Sequence, residues 1–233
     1  QLLLRSVGPG MTDRLILLTG PEEAPVLAER LSDQNPALLI STATDMPALE
    51  AAFQKPATRR RLVAFSTGII VPARLLALCE RGAINFHPGP PEYPGNQIAA
   101  FAAYDGATEF GATAHFMAPE VDSGPIISVR REAMPPGGTR TDYALIGYKN
   151  LVFLFNDLDD KLSNLDETLI PNGDSWSGHI WKLSDLNRMR MLPRDIDAEG
   201  FTRRLRAFED SEPGSLQVEL FGFRFRICPD GGS

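Results

Sequence analysis

Ala83-Ile84-Asn85-Phe86-His87-Pro88-Gly89-Pro90-Pro91-Glu92-Tyr93-Pro94-Gly95 brings an amide and an imidazole to the end of a short apolar run, then opens into a Pro/Gly-rich loop. Asn85 and His87 alternate with Ile84 and Phe86, so a strand here carries both polar side chains on one side. A second stretch follows at Gly111-Ala112-Thr113-Ala114-His115-Phe116-Met117-Ala118-Pro119-Glu120-Val121-Asp122-Ser123-Gly124-Pro125-Ile126-Ile127. Alone, Asn-x-His at a strand end is a cap, and Asp before Ser-Gly is an ordinary turn. Together they place two of the chain's three histidines and one carboxylate at strand ends, where open α/β sheets put their chemistry.

Working outward, buried-looking runs alternate with helical segments. Residues 14–20 read as a first strand ending at Gly20, and residues 21–31 as a helix opened by Pro and acids. Residues 37–40 and 62–65 are the second and third strands, with a helix over 45–54 capped by Asp45 between them. Residues 73–81 read as a helix ended by Gly82. A short helix is expected over 96–103 with Asn96 as its cap, followed by strands over 109–117 and 125–130. This alternation predicts an α/β fold, a doubly wound, mostly parallel sheet. The first turn has no Gly-x-Gly-x-x-Gly, so it is no dinucleotide cradle.

The motif set Asn-x-His-Pro, Tyr-x-Gly, Gly-x-Thr-x-His and Val-Asp-x-Gly-x-Ile resembles the 10-formyltetrahydrofolate-dependent formyltransferases, over roughly residues 14–131. The resemblance implies a Rossmann-like formyltransferase core with Asn85, His87 and Asp122 as catalytic residues. It implies donor contacts at Ile70 and Val71 in the loop after the third strand. Further donor contacts would come from the supporting His115 and from Glu120 and Val121 in the loop over 118–124. The implied donor is 10-formyltetrahydrofolate, with no metal. The loop after Asn85-Phe86-His87 departs from the family pattern, being one residue shorter and carrying Pro94 where the family has Arg. A similar Pro-Gly-Pro-Pro loop occurs in the formyltransferase-like first domain of a hydrogenase-maturation protein. This loop faces the acceptor in the family, so acceptor identity is what the change touches. The first turn also lacks the Gly-Ser-Asn-like phosphate turn of the glycinamide ribonucleotide enzymes.

The chemistry suits these residue types. Formyl transfer passes through a tetrahedral carbon bearing a negative oxygen while an amine sheds a proton. Asn85 offers an N–H donor, His87 can serve as donor or base because imidazole ordinarily titrates close to neutral pH, and Asp122 orients it or relays a proton. Three histidines without ligand spacing offer no metal site, and no Ser or Cys nucleophile motif appears.

The formal charge of −7 argues against a nucleic-acid partner, because phosphate binding needs clustered cations. The one basic run, Arg59-Arg60-Arg61, reads as a solvated loop before a strand. Cys79 and Cys228, far apart, suit a reducing cytoplasm. No apolar run approaches the roughly 20 residues of a membrane span. Residues 1–10 have an apolar start without a signal-peptide core and are set aside from the fold.

Beyond the core, residues 139–163 read as a helix over the sheet's edge with Thr141 and Asp142 at its start, and 164–178 as a loop. Trp176-Ser177-Gly178-His179-Ile180-Trp181 is local packing or a wall for the acceptor. Residues 197–208 read as a capped amphipathic helix and 215–228 as a hairpin with one buried face. The expected organisation is a catalytic domain over 11–165 and a small C-terminal extension over 166–233. The tail is short and not conspicuously basic, which favours a small amine acceptor, an amino-sugar nucleotide first, over initiator tRNA. Hydrolysis of the formyl donor, a methionyl-tRNA enzyme with a truncated tail and a catalytically silent folate binder are the alternatives. A homodimer is open.

Overall fold

The computed structural model describes residues 12–177, 179–208 and 215–227; Cys228 lies outside these. The first part alternates β1 (Asp13–Leu18), α1 (Glu23–Gln34), β2 (Leu39–Ala43), α2 (Met46–Gln54), β3 (Arg59–Phe65), α3 (Ala73–Leu76) and β4 (Ala83–His87). Then come α4 (Ile98–Asp105), β5 (Glu109–Phe116), β6 (Ile126–Ala133) and α5 (Arg140–Ser163). The last elements are α6 (Leu183–Met189), β7 (Met191–Leu192), α7 (Ala198–Phe208), β8 (Gln217–Leu220) and β9 (Phe223–Arg226). Among the described residues, the strands form a six-stranded sheet, β2-β1-β3-β4-β5-β6, and a three-stranded sheet, β7-β8-β9. β1 pairs in parallel with β2 and β3, and β3 in parallel with β4, as the strand–helix alternation implies. Contact density divides the chain into two compact units: residues 1–87, 114–128 and 153–174, and residues 88–113, 129–152 and 175–233.

The first unit holds a core of Ile16, Leu18, Leu49, Phe53, Leu62 and Leu75, contributed by strands and the helices that cross between them. Asp45, in an extended conformation, accepts the Ala48 N–H at 2.7 Å and starts α2, with Pro47 in the first turn. α3 is much shorter than expected. After Leu76 the amides of Leu78 and Cys79 bond three residues back, to Leu75 and Leu76, and Gly82 at φ +90° turns the chain into β4. Cys79 is buried among these residues, and burial pushes its thiol up to about 12, far from thiolate chemistry.

The basic run 59–61 is not a solvated loop but the start of β3. Arg59 pairs with Asp13 and Asp166. Arg61 is 1% exposed and donates to five backbone carbonyls: Arg81 (2.8 Å), Lys161 (2.6 Å), Leu162 (2.9 Å), Asn164 (3.3 Å) and Glu167 (2.9 Å). Three of these belong to the last turn of α5 and the residue after it, where helical carbonyls have no partner of their own. The guanidinium therefore closes the helix C-terminus from inside the sheet. Burial lowers Arg61 to about 10, so it stays charged at neutral pH.

The half of α5 from Phe153 onward covers the face of the sheet rather than its edge. Phe155 packs edge-on against Phe65 of β3, centroids 5.6 Å apart, and against Phe86 of β4 at 5.3 Å. Leu151, Leu154, Phe155, Leu158 and Leu162 recur at helical spacing and are all buried. At the other end the cap is Thr139, not Thr141. The Thr139 amide and hydroxyl both donate to Asp142 Oδ2, at 2.8 and 2.9 Å, and the Asp142 amide returns a bond to Thr139 Oγ1 at 3.3 Å. These bonds hold the Asp142 carboxyl below its ordinary value of 3.8. A carboxyl held low in the fold stabilises above its unfolded value and loses that contribution as pH falls through its folded one. Asp142→Asn is thus expected to melt about 2–4 °C lower at neutral pH. The gap to wild type should close as pH drops below 3.8. Thermal melts at stepped pH check this, and a gap that persists in acid contradicts it.

In the second unit, α4 begins at Ile98 behind Gln97, which adopts a left-handed conformation without a side-chain cap. Asn96 does not cap it; its backbone N–H is bonded to Trp181 O at 2.8 Å instead. Asp197 accepts the Gly200 N–H at 2.7 Å at the start of α7, as expected. The hairpin β8–β9 forms with Val218 opposite Phe225 and Leu220 opposite Phe223, but its apolar face is not buried. Among the described residues its open end packs, with Leu216 and Ile227 in one cluster with Leu192, Ala207 and Phe208. Phe221, Phe223 and Phe225 are 90%, 70% and 50% exposed.

Candidate active site

Asn85 and His87 project from the same side of β4, and His115 projects from β5 toward them. Asp122 stands in the loop between β5 and β6. All four belong to the first unit. Asp122 Oδ2 lies 3.3 Å from His87 Nδ1, and its Oδ1 lies 3.3 Å from His115 Nε2 and 3.5 Å from Asn85 Nδ2. Asn85 Nδ2 is also 3.1 Å from His115 Nε2. His87, His115 and Asp122 are buried and Asn85 is half-buried, so one carboxylate gathers three polar side chains largely out of water. Electrostatic interactions are strongest in such surroundings.

The hydrogen-bond geometry constrains where the protons sit. His115 Nδ1 is 2.8 Å from Phe116 O. A carbonyl only accepts, so Nδ1 carries a hydrogen. A neutral His115 then presents a lone pair at Nε2, which accepts from the Asn85 amide. A protonated His115 instead donates from Nε2 to Asp122 Oδ1. His87 Nδ1 faces Asp122 Oδ2, so the carboxylate holds the Nδ1–H tautomer and leaves the lone pair of a neutral ring on Nε2. At 3.3 Å that contact is longer than an ideal bond, as catalytic contacts often are before substrate tightens them.

The loop bearing Asp122 is strained and tightly seated. Asp122 has φ +46°, a left-handed conformation rare outside glycine and tolerated by Asp. Ser123 Oγ donates to Glu120 O at 2.9 Å. A Cβ built on Gly124 would come within 1.9 Å of Phe116 O, so only glycine lets this loop return against β5 and its Phe116 N–H reach Pro125 O. Gly124→Ala is expected to cost about 1–3 kcal/mol by thermal or urea unfolding and to displace Asp122. A variant as stable and as active as wild type would contradict this. The sequence signal for it was a lone Gly between an Asp turn and an apolar strand, and it reads equally well as an ordinary turn.

The remaining expected residues fall as follows. Ile70 is exposed, while Val71 is buried in the core with Leu75 and Cys79, so Val71 offers only its backbone. Glu120 and Val121 are exposed on the Asp122 loop. His115 sits within the same cluster as Asn85 and Asp122 rather than apart from it. The 88–95 loop, in the second unit, is held by Gly89 O accepting Thr113 Oγ1 at 2.8 Å, by Tyr93 donating to Asp105 at 3.2 Å and by Arg131 on Glu92 at 2.7 Å. Burial, with the Asp105 carboxylate next in weight, pushes the Tyr93 hydroxyl well above its usual range. Trp181 stacks on Phe101 at 3.9 Å and its backbone bonds Pro94 and Asn96 around Gly95. That side chain is local packing.

Residues 46–144 match the sequence model of the family described as formyl transferase, a span that contains Asn85, His87, His115 and Asp122. Over that span the chain is similar to the formyl transferase family. A methionyl-tRNA formyltransferase from Treponema pallidum is 32% identical over 149 residues, 63% of this chain and 46% of the relative. The chain thus spans less than half of the curated relatives it matches. A sugar N-formyltransferase from a Shewanella species superposes with a TM-score of 0.71 at 15% identity, over 93% of this chain and 97% of its own. HypX from Aquifex aeolicus, in complex with tetrahydrofolic acid, superposes at 0.59 and 18% identity over 93% of this chain and 37% of its own. At these identities the two structures establish the fold alone, the α/β core expected above. No helix among the described residues is long and apolar enough to cross a membrane.

Proposed function

We propose that this protein is a formyl transferase that moves a formyl group from 10-formyltetrahydrofolate to the primary amine of a small acceptor, with an amino-sugar nucleotide the favoured class. The observation that carries the reading is the convergence of Asn85, His87 and His115 on the single buried carboxylate of Asp122. The donor supplies an activated formyl carbon on nitrogen. A bond forms from the acceptor amine to that carbon, the carbon–nitrogen bond to the folate breaks, and the amine proton ends on the folate nitrogen. Asn85 donates an N–H to the developing oxyanion, a contribution on the order of 3 kcal/mol. His87 takes the amine proton at Nε2, while Asp122 holds its Nδ1–H and offsets the imidazolium charge. His115, pinned by Phe116 O, orients the Asn85 amide. Exposed apolar Ile70 and Val121, on loops leaving β3 and β5, fit a flat pterin, with Val71, His115 and Glu120 completing the donor contacts. Residues 11–165 form the catalytic domain in this reading and 166–233 its extension, in a cytoplasmic setting.

A second acceptor has an observation in its favour, the identity to methionyl-tRNA formyltransferases, and one against it, the net charge of −7. The test incubates the full chain with 10-formyltetrahydrofolate and follows tetrahydrofolate release, alone, with nucleotide-linked amino sugars and with methionyl-tRNA. Release that depends on an amino sugar supports the proposal. Release driven only by methionyl-tRNA moves the acceptor to tRNA, and equal release with no amine replaces transfer by hydrolysis.

A further inference from the structure

The three-stranded sheet gathers cations on one face. Met191 of β7 pairs with Gln217 of β8, Gln217 pairs with Arg226 of β9, and the two-residue period carries Arg224 to that same side. Asn187 and Arg188 of α6, with Arg190 just after it, join Met191, Gln217 and Arg224 around a cavity of about 410 Å³. Among the described residues, the lining holds three guanidinium groups, two side-chain amides and no carboxylate. Arg188 is paired with Asp185 of its own helix. Arg190 lies over the Phe208 ring, 5.5 Å from its centroid, and its buried Nε has no hydrogen-bond partner among the described residues. Among the described residues, no carboxylate pairs with Arg190 or Arg224; Glu219, opposite Arg224 in the register, does not line the cavity. A chain of net charge −7 here concentrates positive charge that the described side chains leave largely uncompensated. The neighbouring cavity beside Tyr104 is built differently, with Asp105 and Glu199 facing Arg203 and Arg206.

We propose that the Arg190–Arg224 cavity binds a phosphate-bearing small molecule of the nucleoside diphosphate class. Guanidinium groups match phosphate oxygens in bidentate geometry and keep their charge at all working pH values. Asn187 and Gln217 present both donors and acceptors to the edge of a base or sugar, and Met191 supplies an apolar contact. The volume falls within the range of small-molecule sites, about 300–1,000 Å³. The clustering of the arginines around one concavity, rather than in a stripe, favours a small ligand over a nucleic-acid strand. UDP is also the nucleotide part of the acceptor class favoured above, so it is the Arg190 and Arg224 variants, not binding by itself, that assign the ligand to this cavity.

Isothermal titration of the full chain with UDP and, separately, with sodium pyrophosphate measures the site directly. Arg224→Gln, on an edge strand whose residues are all exposed, should weaken UDP binding at least about tenfold while the melting temperature stays in place. Arg190→Gln should do the same, and Asp122→Asn should leave binding unchanged. Pyrophosphate binding with the same sensitivity supports recognition through the diphosphate; UDP binding alone, equally sensitive, adds recognition of the nucleoside. The proposal is overturned if neither probe binds at millimolar concentration or if Arg224→Gln binds UDP as tightly as wild type. Loss of UDP binding in Asp122→Asn would also overturn it, and so would binding of an RNA oligonucleotide in place of both probes.

Discussion

Asp122→Asn is expected to lower formyl transfer by about 10²–10⁴-fold while the chain still folds, and His87→Ala to do the same. Asp122 is the one group in contact with all three partners, so its loss acts on each of them. The amide that replaces it keeps size and shape but removes the charge that stabilises a protonated His87. It also presents a donor to a ring nitrogen that already donates, which favours the wrong tautomer. In the neighbouring chemistry, His115 loses the carboxylate that its protonated form addresses and Asn85 loses part of what orients it. Because the interactions belong to the reacting state, kcat and kcat/KM should fall together, with the donor KM changed little. His87→Ala removes the proposed proton acceptor outright, and its melting curve must accompany the kinetics because the ring is buried. Turnover within tenfold of wild type in a folded Asp122→Asn protein would remove the carboxylate from the mechanism.

The second large effect is on stability. Arg61→Met should destabilise the protein by roughly 3–5 kcal/mol, because it strips the donors from carbonyls that stay buried. For a chain of this size that is a fall in melting temperature on the order of 10 °C. Methionine fills much of the volume and cannot meet any of the five carbonyls. Arg61→Lys should recover only part of the loss, since one ammonium cannot span acceptors from Arg81 to Glu167. Arg74 provides the control. Its pair with Glu50 is exposed on both sides, and Arg74→Ala should cost about 1 kcal/mol or less. Equal shifts for Arg61→Met and Arg74→Ala in thermal melts would show that burial of the guanidinium contributes nothing.

These two residues also mark the limits of reading the chain by its order. Asn85 and His87 were legible because period-two alternation places both on one side of β4 whatever the rest of the fold does. Asp45, Gly82 and Asp197 were legible for the same reason, since caps and turns use neighbours in sequence. Arg61 was not legible. An Arg-Arg-Arg run is solvated by default, and nothing within 59–65 announces that a helix a hundred residues later will leave its carbonyls there. The hairpin failed in the opposite direction. Its alternation gave the hairpin, but alternation does not say whether anything packs on the apolar side.

The amino-acid sequence by itself determined the strand–helix alternation, the parallel core and the identity of the polar residues at the ends of β4 and β5, because local periodicity and turn chemistry are short-range properties. Only the tertiary structure decided that Asp122 reaches His87, His115 and Asn85 at once, through a left-handed residue and a loop that Gly124 alone lets close on β5. Only it turned Arg61 inward to finish α5 and set Arg190 and Arg224 around one cavity. Distances between residues far apart in the chain are fixed by packing, and no local pattern encodes them.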